Sequence, residues 1–228
     1  LFSGYNTLKF DEPVLAQNLA QNLQHPDITT ARNRTNGQAN GRMDIMQLVR
    51  AATVYTPGVL CLTILNDMGT PSLSLGNVAQ QNGVKLAPED AHDAMNDVKA
   101  TLGVAKMLKK TAPDLWRQMM LMSNVEGVNS FLAANTVFTV HDASYGRTRS
   151  AAVTSVIERA SDNTQLLFNL ALDPAPYMAM SVDDLAAHMR RKYLRDDSKP
   201  QPFILSDKKL QPILMPLSAS DPVLDAKF

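Results

Sequence analysis

Ala91-His92-Asp93-Ala94-Met95-Asn96-Asp97-Val98 sets a histidine and two aspartates at the start of an apolar-striped helix. An imidazole that takes a proton near neutral pH, five positions before a carboxylate able to hold a metal ion, is a pair that hydrolytic phosphodiester chemistry can use. The bland alternative is a capped helix start whose acidic residues suit the helix dipole. A second acidic segment near the beginning of the chain, Gly4-Tyr5-Asn6-Thr7-Leu8-Lys9-Phe10-Asp11-Glu12, weighs against it.

From that stretch the spacing predicts a helix over 92–110, with Met95, Val98, Leu102, Ala105 and Leu108 as its buried stripe and Lys106, Lys109 and Lys110 at its C-terminal end. Pro113 opens a second helix to about Asn124, carrying Leu115, Trp116, Met119 and Met120, of which the two Met read as core filler rather than a ligand set. Upstream, Ser72 to Asn82 reads as a short helix stopped at Gly83, and Thr56-Pro57-Gly58 and Asn66 to Pro71 read as turns. Met43 to Arg50 opens a helix with Ile45, Leu48 and Val49 on one face, and Asp44 is either its cap or a functional acid. Gln24 to Gly41 has no sustained period and reads as a surface loop after a helix over 11–23.

Beyond Gly127 the texture turns to β-rich runs, at Thr136–His141, Ala151–Ile157 and Gln165–Leu172, which predict a small barrel or sheet. Ser181-Val182-Asp183-Asp184 is a capping box before a helix bearing Leu185, Met189 and Tyr193, and short strands are expected around Phe203–Leu205 and Ile213–Met215. Tyr145-Gly146-Arg147-Thr148-Arg149, read as a loop, and Arg190 to Arg195 combine aromatics with cations; each is a candidate nucleic-acid contact or an ordinary solvated surface.

Composition narrows the class. A chain of 228 residues, 45% hydrophobic, can bury one large core or two modest ones. Its apolar runs fall short of the roughly 20 residues of a spanning helix, which predicts a soluble protein without a membrane partner. The single Cys61 excludes a disulfide framework and suits a reducing, cytoplasmic setting. Basic and acidic residues balance at 22 each, so a polyanion must be held by local patches.

Asn6, Phe10 and Asp11 with His92 and Asp97 match the second and third motifs of the DEDD exonucleases, in the subclass that ends in His and, five residues later, Asp. Gly4-Tyr5-Asn6 through Phe10-Asp11, Arg42-Met43-Asp44-Ile45, Pro71-Ser72 with Leu75, and Ala91-His92-Asp93-Ala94 through Asp97-Val98 resemble, in the same order, the bacterial exodeoxyribonuclease I family. The resemblance implies an α/β chain: a ribonuclease-H-like exonuclease domain, incomplete at its N-terminus, over residues 1–128, then a β-rich SH3-like barrel domain over residues 129–228. It implies 3′-5′ release of nucleotides from single-stranded DNA through two Mg²⁺ or Mn²⁺ ions, with single-stranded DNA-binding protein as a further partner. On that basis Asp11 and Asp97 are metal ligands and His92 is the general base. Tyr5, Asn6 and Phe10 are substrate contacts, joined from the basic loop by Tyr145, Arg147 and Arg149.

One departure is large: the family's first motif, Asp-x-Glu on a sheet strand, occurs nowhere in the chain. The expectation is a longer polypeptide whose upstream strands lie outside this sequence. A catalytically inactive DNA-binding or protein-interaction module that keeps the nuclease shape is the alternative, and an RNA-trimming relative shares the same motifs.

Overall fold

The computed structural model describes residues 1–32, 37–84, 94–144, 147–159, 161–190 and 201–217. Strand β1 (Phe2–Gly4) runs parallel to β2 (Arg42–Asp44), in the register Phe2 to Arg42, Ser3 to Met43 and Gly4 to Asp44. Helix α1 (Asp11–Gln21) lies between them in sequence. It buries none of its residues, and Val14 and Leu15 stand exposed.

Helix α2 (Ile45–Tyr55) leaves β2 directly, so the segment expected to open a helix at Met43 is first a strand. Ile45, Leu48, Val49 and Ala52 recur at helical spacing and form its buried face. Helices α4 (Ala94–Thr111) and α5 (Pro113–Leu121) pack against it, and α3 (Leu75–Gln81) packs on α4. Gly83, at φ +71°, ends α3 in the left-handed conformation that glycine adopts without steric penalty.

The buried face of α4 follows the expected stripe at Ala105 and Leu108 and departs from it in the first half of the helix. Asn96, Ala100, Thr101, Val104, Ala105 and Leu108 face inward, whereas Met95, Val98 and Leu102 are exposed. The helix carries two apolar stripes, and the one with smaller residues packs inward; beside it, a Cβ on Gly103 would already overlap the side chain of Val84.

Helix α6 (Val125–Ala134), capped by the Asn124 side chain accepting from Gly127 N, was not foreseen. It leads into an antiparallel sheet of β3 (Val137–Ser144), β4 (Arg147–Arg159), β5 (Thr164–Asn169), β6 (Phe203–Asp207) and β7 (Ile213–Pro216). The order is β6-β5-β4-β3-β7, with β6 and β7 as edges, so among the described residues the sheet does not close into the expected barrel. Helices α7 (Ala175–Met178) and α8 (Val182–Arg190) fall between β5 and β6. At the start of α8, Ser181 Oγ accepts from Asp184 N as the capping box predicts.

Two buried clusters result. One gathers Met43, α2, α3, α4 and α5; the other gathers Met122, Val128, Phe131, Phe138, Val153 and Leu167. Strand β7 serves both, because alternate side chains leave opposite faces: Ile213 enters the first cluster and Leu214 the second.

Candidate functional site

Asp44 is the hub of the β1–β2 end of the molecule. It ends β2, caps α2 through Oδ1 accepting from Met46 N at 3.0 Å, and is 3% exposed. The same carboxylate reaches across to the segment after β1, where Oδ1 accepts from Asn6 N at 2.7 Å and Oδ2 from Leu8 N at 3.4 Å. Burial raises its pKa from the ordinary 3.8, against the opposing pull of these three N–H donors and of Arg50. Of the two readings of this residue, the structure bears out the helix cap.

That segment turns through Asn6 at φ +60°, a conformation asparagine tolerates better than most residues. Tyr5 is fixed by its hydroxyl donating to Leu73 O at 2.5 Å. Burial, helped by the charge of Asp44, holds its phenol well above the usual tyrosine range, so it stays a neutral donor.

Tyr5 and Asn6 open onto a cleft of about 670 Å³, lined also by Met46, Arg50, Asn66 and the stretch Thr70 to Leu75. Its wall is a built loop: the Asn66 side chain accepts from Met68 N and Thr70 N, and Gln81 Oε1 accepts from Thr63 N and Ile64 N. Arg50 donates through Nη1 to Gln47 Oε1, while its Nε is buried without an acceptor among the described residues. A cleft lined by an aromatic, an amide and a guanidinium offers groups that can meet a ring and an anionic oxygen.

The structure treats the expected site residues unevenly. Tyr5 and Asn6 line the cleft together. Phe10 immediately precedes α1 and is 69% exposed, and Asp11 opens that helix with an exposed side chain. Asp97, in the first turn of α4, is also exposed. His92 and Asp93 lie outside the described residues, as does Tyr145. Arg147 and Arg149 belong to β4, paired with Ser144 and Asp142 of β3, so the basic loop is largely hairpin; their side chains are outside the description.

Carboxylates are hard oxygen donors suited to Mg²⁺ or Mn²⁺; Asp11 on α1 and Asp97 on α4 are both exposed. Among the described residues no three His, Cys, Asp or Glu side chains come together. Sequence reasoning missed Arg50 as a cleft residue; its signal was a lone cation following Leu48-Val49 inside an apolar helical run.

No protein-family model matches the chain. In sequence it is related to bacterial exodeoxyribonuclease I: it is 32% identical to that of Haemophilus influenzae over 114 residues, 50% of this chain and 22% of that protein. It is 31% identical to that of Escherichia coli over 121 residues, 53% of this chain and 24% of that one. In fold it resembles E. coli exonuclease I in complex with a dT13 oligonucleotide, with TM-score 0.76 and 23% identity over 98% of this chain and 50% of that chain. An ExoI/SSB-Ct complex matches with TM-score 0.76 and 23% identity over 98% of this chain and 48% of that one. The exonuclease I of Methylocaldum szegediense matches with TM-score 0.74 and 24% identity over 94% of this chain and 45% of that one. The chain thus spans about a quarter or less of the curated relatives in sequence, and about half of the solved structures in fold.

Proposed function

We propose that this chain is the substrate-holding part of a metal-dependent 3′-5′ exonuclease acting on single-stranded DNA. The observation that carries the reading is the cleft, in which Tyr5 and Asn6, the residues expected beside the terminal nucleotide, stand with Arg50. The relation to exodeoxyribonuclease I over half the chain supports it.

On this reading Tyr5 offers a ring for the last base, Asn6 its side-chain amide, and Arg50 a charge-assisted hydrogen bond to a phosphate oxygen. Asp11 and Asp97 would hold the Mg²⁺ or Mn²⁺ ions. Such ions, when bound, supply Lewis-acid stabilisation of the charge that builds on phosphate and leaving oxygens. His92 takes the proton of the attacking water on its imidazole, a task suited to an unperturbed pKa of about 6.5. Phe10, Arg147 and Arg149, with Tyr145, would extend the strand contacts, and single-stranded DNA-binding protein is the partner the relation suggests.

The test is a form of the protein carrying an upstream Asp-x-Glu strand, given 3′-labelled single-stranded DNA. It should release nucleotides only with a divalent metal, and His92→Ala and Asp97→Ala should each abolish release. Undiminished activity in both variants would falsify the mechanism. Running RNA beside DNA assigns the sugar preference.

A second reading is favoured by the absence of any Asp-x-Glu in the chain: a single-strand-binding module without turnover. It requires salt-sensitive binding to oligonucleotides by the chain as given. Tight stoichiometric Mg²⁺ or Mn²⁺ uptake in calorimetry of this chain alone would speak against it.

A further inference from the structure

The connection between β6 and β7 reaches out of its own sheet and grips the segment that lines the cleft. Its first residue, Lys208, is 1% exposed and binds back to its own side of the molecule, with Nζ donating to Glu158 Oε1 at 2.5 Å and to Asn129 Oδ1 at 2.8 Å. Gln211, also 1% exposed, sits at φ +49°, a conformation a non-glycine residue keeps only where its surroundings hold it. Its side chain spans two elements of the other unit: Nε2 donates to Met119 O at 3.0 Å and Oε1 accepts from Asp44 N at 2.7 Å.

Two lines of hydrogen bonds then run to the two ends of the Tyr5–Glu12 segment. One passes from Gln211 to the backbone of Asp44, whose carboxylate holds Asn6 N and Leu8 N. The other starts at Lys209 O, which accepts from Arg42 Nη2 at 2.6 Å; Arg42 Nη1 pairs with Glu12 Oε2 at 2.7 Å. That pair is largely buried, its side chains 14% and 13% exposed, and Glu12 Oε2 also accepts from Thr29 Oγ1. Thr7 O, accepting from Phe10 N and Glu12 N, joins the two ends.

We propose that Gln211 and Arg42 are positioning residues, through which the antiparallel-sheet unit holds Tyr5, Asn6 and Asp11 in place, making that unit a structural part of the substrate site. The inference deepens the reading of the cleft as a nucleotide site and rests on it for the word substrate. The grip on the segment stands on geometry alone. A loop bracketed at both ends by buried polar groups is pre-organised, since loosening either end leaves a buried donor or acceptor unpaired.

Site-resolved amide hydrogen exchange on the full 228-residue chain reads the grip without requiring any activity. Gln211→Met keeps the volume and removes both hydrogen bonds; it should speed exchange at Asp44, Asn6 and Leu8 by about tenfold, as loss of one buried hydrogen bond implies. Arg42→Met should instead act at Phe10 and Glu12. Exchange in β4 and β5 should stay unchanged in both variants. Arg42→Lys, able to pair with Glu12 but not also with Lys209 O, should fall between Arg42→Met and the unaltered chain. Unchanged Asn6 and Leu8 amides in Gln211→Met, or acceleration spread evenly over the whole chain, would overturn the proposal.

Binding of a 3′-labelled oligothymidylate, measured by anisotropy on the same samples, separates the two readings. Weakened binding in Gln211→Met and Arg42→Met supports the placement of the cleft. No binding by the unaltered chain sinks the nucleotide reading, while the exchange pattern still decides whether the sheet unit holds the segment.

Discussion

Asp44 is asked to accept three backbone hydrogen bonds in a place where its charge is poorly solvated. Because its folded pKa is raised, the stabilising contribution is complete below the ordinary value of 3.8 and is lost as pH rises through the raised one. The stability of the native chain minus that of Asp44→Asn should therefore fall as pH rises above the ordinary value of 3.8, by urea unfolding at several pH values. A difference that is flat or grows with pH contradicts the burial argument. Asp44→Ala carries the same pH trend, since alanine does not titrate either, but it also strands three N–H donors and the α2 cap; it should cost about 2–4 kcal/mol more than Asp44→Asn at any pH. The contrast between the two variants separates the carboxylate's charge from its geometry.

At the scale of elements, α4 shows how an amphipathic pattern can be read correctly at one end of a helix and on the wrong side at the other. Leu108 is fully buried and Leu102 is 50% exposed, although the same periodicity joins them both to Met95. Leu108→Ala should cost about 2–5 kcal/mol in chemical denaturation, whereas Leu102→Ala should stay within about 0.5–1 kcal/mol. Equal losses would show that the stripe of Met95, Val98 and Leu102 is covered in solution. Strand β7 makes the complementary point, because its alternation lets one short strand feed two cores and so ties the helical layer to the sheet.

For the molecule as a whole, a net charge of zero leaves any grip on a nucleic acid to local groups, of which Arg50 in the cleft is the clearest. Arg50→Gln should weaken oligothymidylate binding by about tenfold and lower the slope of log affinity against log salt by nearly one, as loss of one phosphate contact implies. An unchanged slope would place the cleft off the strand's path. No described helix is long and apolar enough to cross a membrane. Much of this architecture was legible in the chain: the Asp44 cap, the α2 face, the turns at Asn66 and Gly83, the capping box at Ser181 and the β-rich runs are local signals written in consecutive residues. The chemical reading of the stretch around His92 and Asp97 rests on residue type and spacing alone, and of its residues the structure places Asp97 in the first turn of α4. Which stripe of α4 faces inward, the open order of the sheet, the place of Arg50 and the hold of Gln211 on Asp44 were not legible. Each depends on a contact between residues distant in sequence, and only the packed chain decides which of two chemically acceptable faces or partners is taken.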